Sequence, residues 1–123
     1  MSKNVLIIED EKVLSELVRV NLVLRGIPVE TAYTAQSGLD KAFKIRPDII
    51  LLDVRLPDFT GWEVCKKLKS QKTDEWNPVI VFLTAATQAS DKKTAKESGG
   101  DDFVEKPFEM SELVKKVKEL LGP

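Results

Sequence analysis

Two apolar runs in this chain each end in carboxylates: Val5-Leu6-Ile7-Ile8 runs into Glu9-Asp10, and Ile49-Ile50-Leu51-Leu52 runs into Asp53. Strands that are apolar at every position belong to parallel sheets covered on both faces. The carboxyl ends of such strands are where open α/β sheets place their ligands. If the two strands are neighbours, Glu9, Asp10 and Asp53 crowd into one pocket. Two unit charges ~5 Å apart repel by roughly 3 kcal/mol at an effective dielectric of ~20. A hard divalent cation with oxygen ligands relieves that repulsion. Two further polar residues stand at strand ends: Thr84 follows Val79-Ile80-Val81-Phe82-Leu83, and Lys106 follows Phe103-Val104-Glu105 and precedes Pro107. Carboxylate, cation, hydroxyl and ammonium together suit phosphoryl transfer. The cation and lysine neutralise phosphoryl oxygens, the hydroxyl donates to one of them, and a carboxylate serves as nucleophile.

The elements that must position this set alternate from end to end, which predicts an α/β fold with a parallel sheet. Strands are predicted at Val5–Ile8, Val29–Ala32, Ile49–Leu52, Val79–Leu83 and Phe103–Val104. Leu14, Leu17, Val18 and Leu22 give a first helix, stopped by Gly26 and Pro28; Leu39, Ala42 and Phe43 give a second, ending before Arg46-Pro47. A third runs from about Gly61 to Ser70, with Val64, Cys65 and Leu68 inward and Lys66, Lys67 and Lys69 outward. The fourth, Ser90 to Glu97, has Ser90-Asp91 as its cap and little apolar surface beyond Ala95. The last sets Leu113, Val114, Val117, Leu120 and Leu121 against Lys115, Lys116 and Lys118. Right-handed crossovers leave few doubly wound topologies for this alternation. The order 2-1-3-4-5 makes strands 1 and 3 neighbours and so unites the acids.

Composition narrows the classes. At 123 residues the chain fits one domain over 1–123, with no repeat or linker. A formal net charge of −1 provides no field to recruit nucleic acid or an anionic membrane. Histidine is absent, which excludes a His-based triad or metal site within the chain. The single cysteine, Cys65, excludes an internal disulfide and reads as a small buried side chain. The absence of a long apolar stretch or signal-like start leads to the expectation of a cytosolic protein with no membrane association.

The ordered set of Glu9-Asp10, Asp53 with Pro57 and Gly61, Thr84-Ala85, and Phe103 with Lys106-Pro107-Phe108 resembles the receiver domain of two-component response regulators. The likeness covers essentially the whole chain. It implies a flavodoxin-like doubly wound (βα)5 sheet of strand order 2-1-3-4-5. By the same resemblance, Asp53 accepts a phosphoryl group from a histidine kinase or histidine phosphotransfer protein. Asp10, Asp53 and the backbone carbonyl of Arg55 bind Mg²⁺, with Glu9 helping through water. Lys106 pairs with a phosphoryl oxygen, and its bond to Pro107 is expected to be cis. Thr84 and Phe103 are the switch residues, and the face of helix four, strand five and helix five is the output. The implied protein signals rather than turning over substrate, apart from its own phosphorylation and slow dephosphorylation. Its output is an effector in trans, since no output domain follows Pro123, or phosphorylation-dependent pairing of two copies. A phosphoryl group adds about −2 charge, and two or three charge-assisted contacts at roughly 1.5–3 kcal/mol each suffice to shift a two-state equilibrium.

Some positions depart from the family pattern. Phe103 stands where tyrosine is frequent. Gly99-Gly100 replaces Gly-Ala and is expected to loosen the entry to strand five. Arg55 and Ala86, each two residues past a motif residue, occupy positions that by the resemblance flank the path of attacking water; Arg55 is expected to shield an acyl phosphate and Ala86 to leave an opening.

Taken singly, each residue has a plainer use. Glu9-Asp10 could start a helix, Asp53 could sit in a turn, Thr84 in a loop, Lys106 in solvent, and Phe103 in the core. The lysine faces are simply solvated. A flavodoxin-like flavin carrier would need a hydroxyl- and glycine-rich phosphate loop after strand one, where this chain has Glu9-Asp10-Glu11. A metal-dependent aspartyl phosphatase would need Asp-x-Asp, and Asp53-Val54-Arg55 fails it. A docking module that has lost phosphorylation would not need every acidic position intact.

Overall fold

The computed structural model describes residues 3–85 and 89–122. Its elements are β1 (Val5–Ile8), α1 (Lys12–Val23), β2 (Val29–Ala32), α2 (Ala35–Ile45), β3 (Ile49–Asp53), α3 (Gly61–Ser70), β4 (Val79–Thr84), α4 (Ala89–Glu97), β5 (Asp102–Glu105) and α5 (Met110–Leu121). The five strands form one parallel sheet in the order β2-β1-β3-β4-β5. This is the (βα)5 flavodoxin-like fold expected from the sequence.

Alternate residues of the central strands feed two cores. Leu6, Ile8, Ile50, Leu52, Ile80 and Phe82 pack with α2, α3 and Ala95 of α4, while Val5, Ile7, Ile49, Leu51, Val81 and Leu83 pack with α1 and α5. Burial on both faces explains why these strands carry no polar alternation.

Helix boundaries follow local chemistry. Thr34 and Ser37 form a reciprocal cap at the start of α2. Asp58, from the loop after β3, adds a second: its carboxylate accepts from the N–H groups of Ala35 at 2.8 Å and Gln36 at 2.9 Å. At its other end α2 stops where Arg46, preceding Pro47, turns left-handed at φ 47°. Ser90 and Asp91 lie within α4 rather than capping it, because the helix already includes Ala89.

Several side chains differ from expectation. In α1 the residues facing the sheet are Ser15, Val18 and Leu22, whereas Leu17 is 52% exposed. The helix carries apolar residues on two opposite stripes, and periodicity alone does not say which one meets the sheet. Phe43 lies at the edge of α2, its ring edge against Trp76 at 6.0 Å, and Leu120 of α5 is exposed. Lys69 is not solvated. Its ammonium donates to Asn77 Oδ1 at 3.0 Å, the Pro78 carbonyl at 2.8 Å and Asp101 Oδ2 at 2.9 Å, fastening α3 to the entries of β4 and β5. That entry is tight, not loose. A Cβ on Gly100 would lie 2.3 Å from Phe82 Cε2, so the Phe82 ring occupies the space a methyl would need. Cys65 is buried, and desolvation pushes its thiol up to about 11 despite opposing help from Ser98 and Lys69.

Candidate functional site: an acidic cavity at the carboxyl end of the sheet

Strand register brings the chemistry together. Ile8 of β1 pairs with Leu52 of β3, so Glu9 and Asp53 follow side by side. Asp53 pairs with Leu83 of β4, and Thr84 pairs with Glu105 of β5, placing Thr84 and Lys106 at the same sheet end. The Lys106 N–H donates to the Thr84 carbonyl at 2.7 Å, extending the ladder by one residue, and the Lys106–Pro107 bond is cis.

The resulting cavity, about 200 Å³, is lined by Glu9, Asp10, Glu11, Asp53, Arg55, Thr84, Ala85 and Lys106. One carboxylate oxygen from each of Glu9, Asp10 and Asp53 lies within 4.8 Å of the other two. Glu9 is fully buried and Asp53 is 6% exposed, while Asp10 is exposed and opens the cavity to solvent. The Lys106 ammonium donates to Glu9 Oε1 and, at 3.2 Å, to Asp53 Oδ2. Backbone N–H groups hold the other oxygens: Arg55 donates to Asp53 Oδ1 at 3.1 Å, and Glu11 donates to Glu9 Oε2 at 3.1 Å.

The electrostatics follow from this packing. Burial raises the Glu9 carboxyl to about 7, with the neighbouring Asp53 adding to the rise and Lys106 opposing it. Burial alone would lower Lys106, but Glu9 and Asp53 outweigh it and hold the ammonium above its usual range. One lysine thus faces two carboxylates, with a third close by. The set retains an excess of negative charge that a divalent cation would neutralise, and its all-oxygen donors suit a hard ion such as Mg²⁺.

Gly61 keeps this end of the sheet closed. A Cβ there would lie 2.3 Å from the Asp53 carbonyl oxygen, and its N–H donates to the Val54 carbonyl at 2.8 Å. Thr84 is buried at the cavity wall, whereas Phe103 does not line the cavity. Phe103 stands opposite Phe82 across β4 and β5, half-buried against the core beneath α4. Ala86 lies outside the described residues. In the sequence Glu11 counted only as a third acid unsuited to a phosphate loop; here it contributes through its backbone N–H, which side-chain chemistry cannot reveal.

Comparison with known proteins agrees with this arrangement. The chain matches the response regulator receiver domain family over residues 5–118. It is 36% identical over 118 residues to the response regulator ArlR of Staphylococcus haemolyticus, covering 96% of this chain and 52% of that protein. The chain therefore spans about half the length of the curated relatives it matches. Among solved structures, a two-component response regulator from Clostridium difficile superposes with a TM-score of 0.90 at 32% identity, covering 98% of this chain and 96% of that one. The chemotaxis protein CheY4 of Vibrio cholerae gives a TM-score of 0.90 at 31% identity, covering 98% and 99%. With the strand order, the acidic cavity and the family match in agreement, this chain belongs to the response regulator receiver domains of two-component signalling.

Proposed function

We propose that the chain, as a single receiver unit over 1–123, is a Mg²⁺-dependent phospho-acceptor whose acceptor is Asp53. The observation that carries this reading is the convergence of Glu9, Asp10 and Asp53 on one cavity with Lys106 bonded across two of them. Asp10, Asp53 and the Arg55 backbone carbonyl would hold the ion, with Glu9 acting through water. When bound, the ion neutralises phosphoryl oxygens and favours in-line displacement.

An oxygen of Asp53 attacks the phosphorus of a phosphohistidine donor. The P–O bond forms as the P–N bond breaks, and the electron pair leaves with the imidazole nitrogen, which takes up a proton. Lys106, already 3.2 Å from Asp53 Oδ2, compensates charge on the incoming group. The chain thereby catalyses its own phosphorylation, and attack by water on the acyl phosphate later releases phosphate and regenerates the carboxylate. Thr84 at the wall turns its hydroxyl toward the phosphoryl group, and Phe103 moves into the space released. The face of α4, β5 and α5 then changes for an effector in trans or for phosphorylation-dependent pairing.

The donor, a histidine kinase or histidine phosphotransfer protein, has an apolar approach beside the cavity. A hollow of about 430 Å³ bordered by Leu14, Leu17, Ala85, Pro107, Phe108 and Met110 shares Glu11 and Lys106 with the neighbourhood of the acids. The test is incubation with acetyl phosphate and Mg²⁺ followed by intact mass measurement. One phosphoryl adduct is expected, lost with chelator and lost in Asp53→Asn. An adduct that survives Asp53→Asn, or no adduct at all, overturns the reading.

A further inference from the structure

The loop that follows β3 carries two contributors to the cavity, Asp53 at its start and the Arg55 backbone just beyond. Its base is closed: the Val54 N–H donates to the Leu83 carbonyl at 3.3 Å, and the Val54 carbonyl accepts from Gly61 at 2.8 Å. From the span between these fixed ends Asp58 reaches a different element. Its carboxylate accepts from the N–H groups of Ala35 at 2.8 Å and Gln36 at 2.9 Å, the first two residues of α2. Because β1 lies between β2 and β3, these bonds join the connections on either side of the one that carries Glu9 and Asp10.

The helix has a cap of its own. The Ser37 N–H donates to Thr34 Oγ1 at 3.1 Å, and the Thr34 N–H donates to Ser37 Oγ at 3.3 Å. Water can serve the remaining N–H groups of an exposed first turn. A carboxylate brought from 22 positions away therefore finds its use at its other end, in the loop. Desolvation would raise the Asp58 carboxyl, but the N–H groups of Gln36, Ala35, Asp58 itself and Phe59 outweigh it and hold it below the usual carboxylate range. The side chain stays charged at neutral pH, and so do its bonds to the positive end of the α2 dipole.

We propose that Asp58 is a positioning residue of the acidic cavity, a clamp that uses the first turn of α2 to hold the loop whose Arg55 carbonyl completes the ion's ligands. The proposal rests on the reading of that cavity as a Mg²⁺ site. Asp58 does not line the cavity and acts through the backbone. Mg²⁺ requires near-ideal octahedral geometry, so a carbonyl on a loosely held span costs affinity. Leu56 and Phe59 fix the apolar side of the loop against the core, and Asp58 fixes its polar edge. Coupling between two sites is reciprocal. What the clamp lends to ion binding, ion binding returns to the hold on Ala35 and Gln36.

Calorimetric titration of the full chain with MgCl₂ tests this. Asp58→Ala should raise the Kd for Mg²⁺ about tenfold, the low end for loss of a group that orients a metal ligand. Half-maximal phosphorylation by acetyl phosphate should move to higher Mg²⁺ by the same factor, with the rate at saturating Mg²⁺ retained. Asp58→Asn keeps one acceptor without the charge and should recover most of the loss. Thr34→Ala, which removes the helix's own cap, should lower Tm and leave the Kd as in wild type. Mg²⁺ should slow amide hydrogen exchange at Ala35 and Gln36 in wild type and not in Asp58→Ala. An Asp58→Ala chain that binds Mg²⁺ as wild type does overturns the inference. So does an Asn variant as weak as the Ala one, which would make Asp58 a distant charge, or an equal loss in Thr34→Ala, which would make it a helix stabiliser. A wild type that binds no Mg²⁺ defeats the phospho-acceptor reading itself, and this inference with it.

Discussion

Glu9 is the residue whose environment departs furthest from that of a free side chain. Its carboxyl sits at about 7 in the folded chain against 4.5 as the ordinary value, because burial penalises its charge and Asp53 stands beside it. The sign of the linkage follows. A group that binds its proton more tightly when folded contributes stability that is full below about 4.5 and is lost as pH rises through about 7. Glu9→Gln removes that loss. In urea unfolding without divalent ions, the variant should match wild type near pH 4.5 and exceed it at pH 8 by roughly 1–3 kcal/mol. A gap that stays constant with pH would contradict the assignment. Arg55 invites a kinetic counterpart. Its backbone N–H is committed to Asp53 Oδ1 and its exposed side chain lies at the cavity rim, where it would screen an acyl phosphate from water. Arg55→Ala should speed dephosphorylation several-fold in a single-turnover assay, and an unchanged rate would remove that role.

Among the helices, α1 carries a cost that its sequence pattern concealed. Ser15 faces the core fully buried, and its hydroxyl bonds to no described residue. An unsatisfied buried hydroxyl costs about 1–3 kcal/mol and serine is a poorer helix former than alanine. Ser15→Ala should therefore raise the unfolding free energy by about 1 kcal/mol, read as a shifted urea midpoint at constant slope. At the entry to β5, Gly100→Ala should cost about 1–3 kcal/mol through overpacking, because Phe82 fills the space. Adding Phe82→Leu should recover most of that loss; a double variant as unstable as the sum of the two single changes would show that the ring is not the obstacle. These features mark where reading the sequence ran short. β1, β3 and β4 were legible because apolar runs bounded by turn residues have few other uses, β2 and β5, which carry polar residues, were placed by their alternation with the helices, and α3 was legible to the residue. The orientation of α1, the tight seat of Gly100 and the burial of Lys69 were not, since each depends on which neighbour arrives across the sheet.

In the whole molecule, a single feature of topology makes the site: the crossover that sets β1 beside β3 puts acids that are 43 or more residues apart at one sheet end. The residues of the cavity could be picked out from the sequence because strand ends are easy to find and the ordered motif is specific. Its hydrogen bonds could not, because the Glu11 and Arg55 backbone donors have no side-chain signature. A fold that tolerates mutual repulsion among Glu9, Asp10 and Asp53 should gain stability when a cation joins them. Ligand that binds only the folded state at tenfold its Kd adds about 1.4 kcal/mol. The most direct test is thermal unfolding of wild type, Asp10→Asn and Asp53→Asn across a Mg²⁺ titration at pH 8. A saturating rise in Tm of several degrees is expected for wild type, with little or none for either variant. An equal rise in all three, or none in wild type, would contradict the convergence of these carboxylates on one ion.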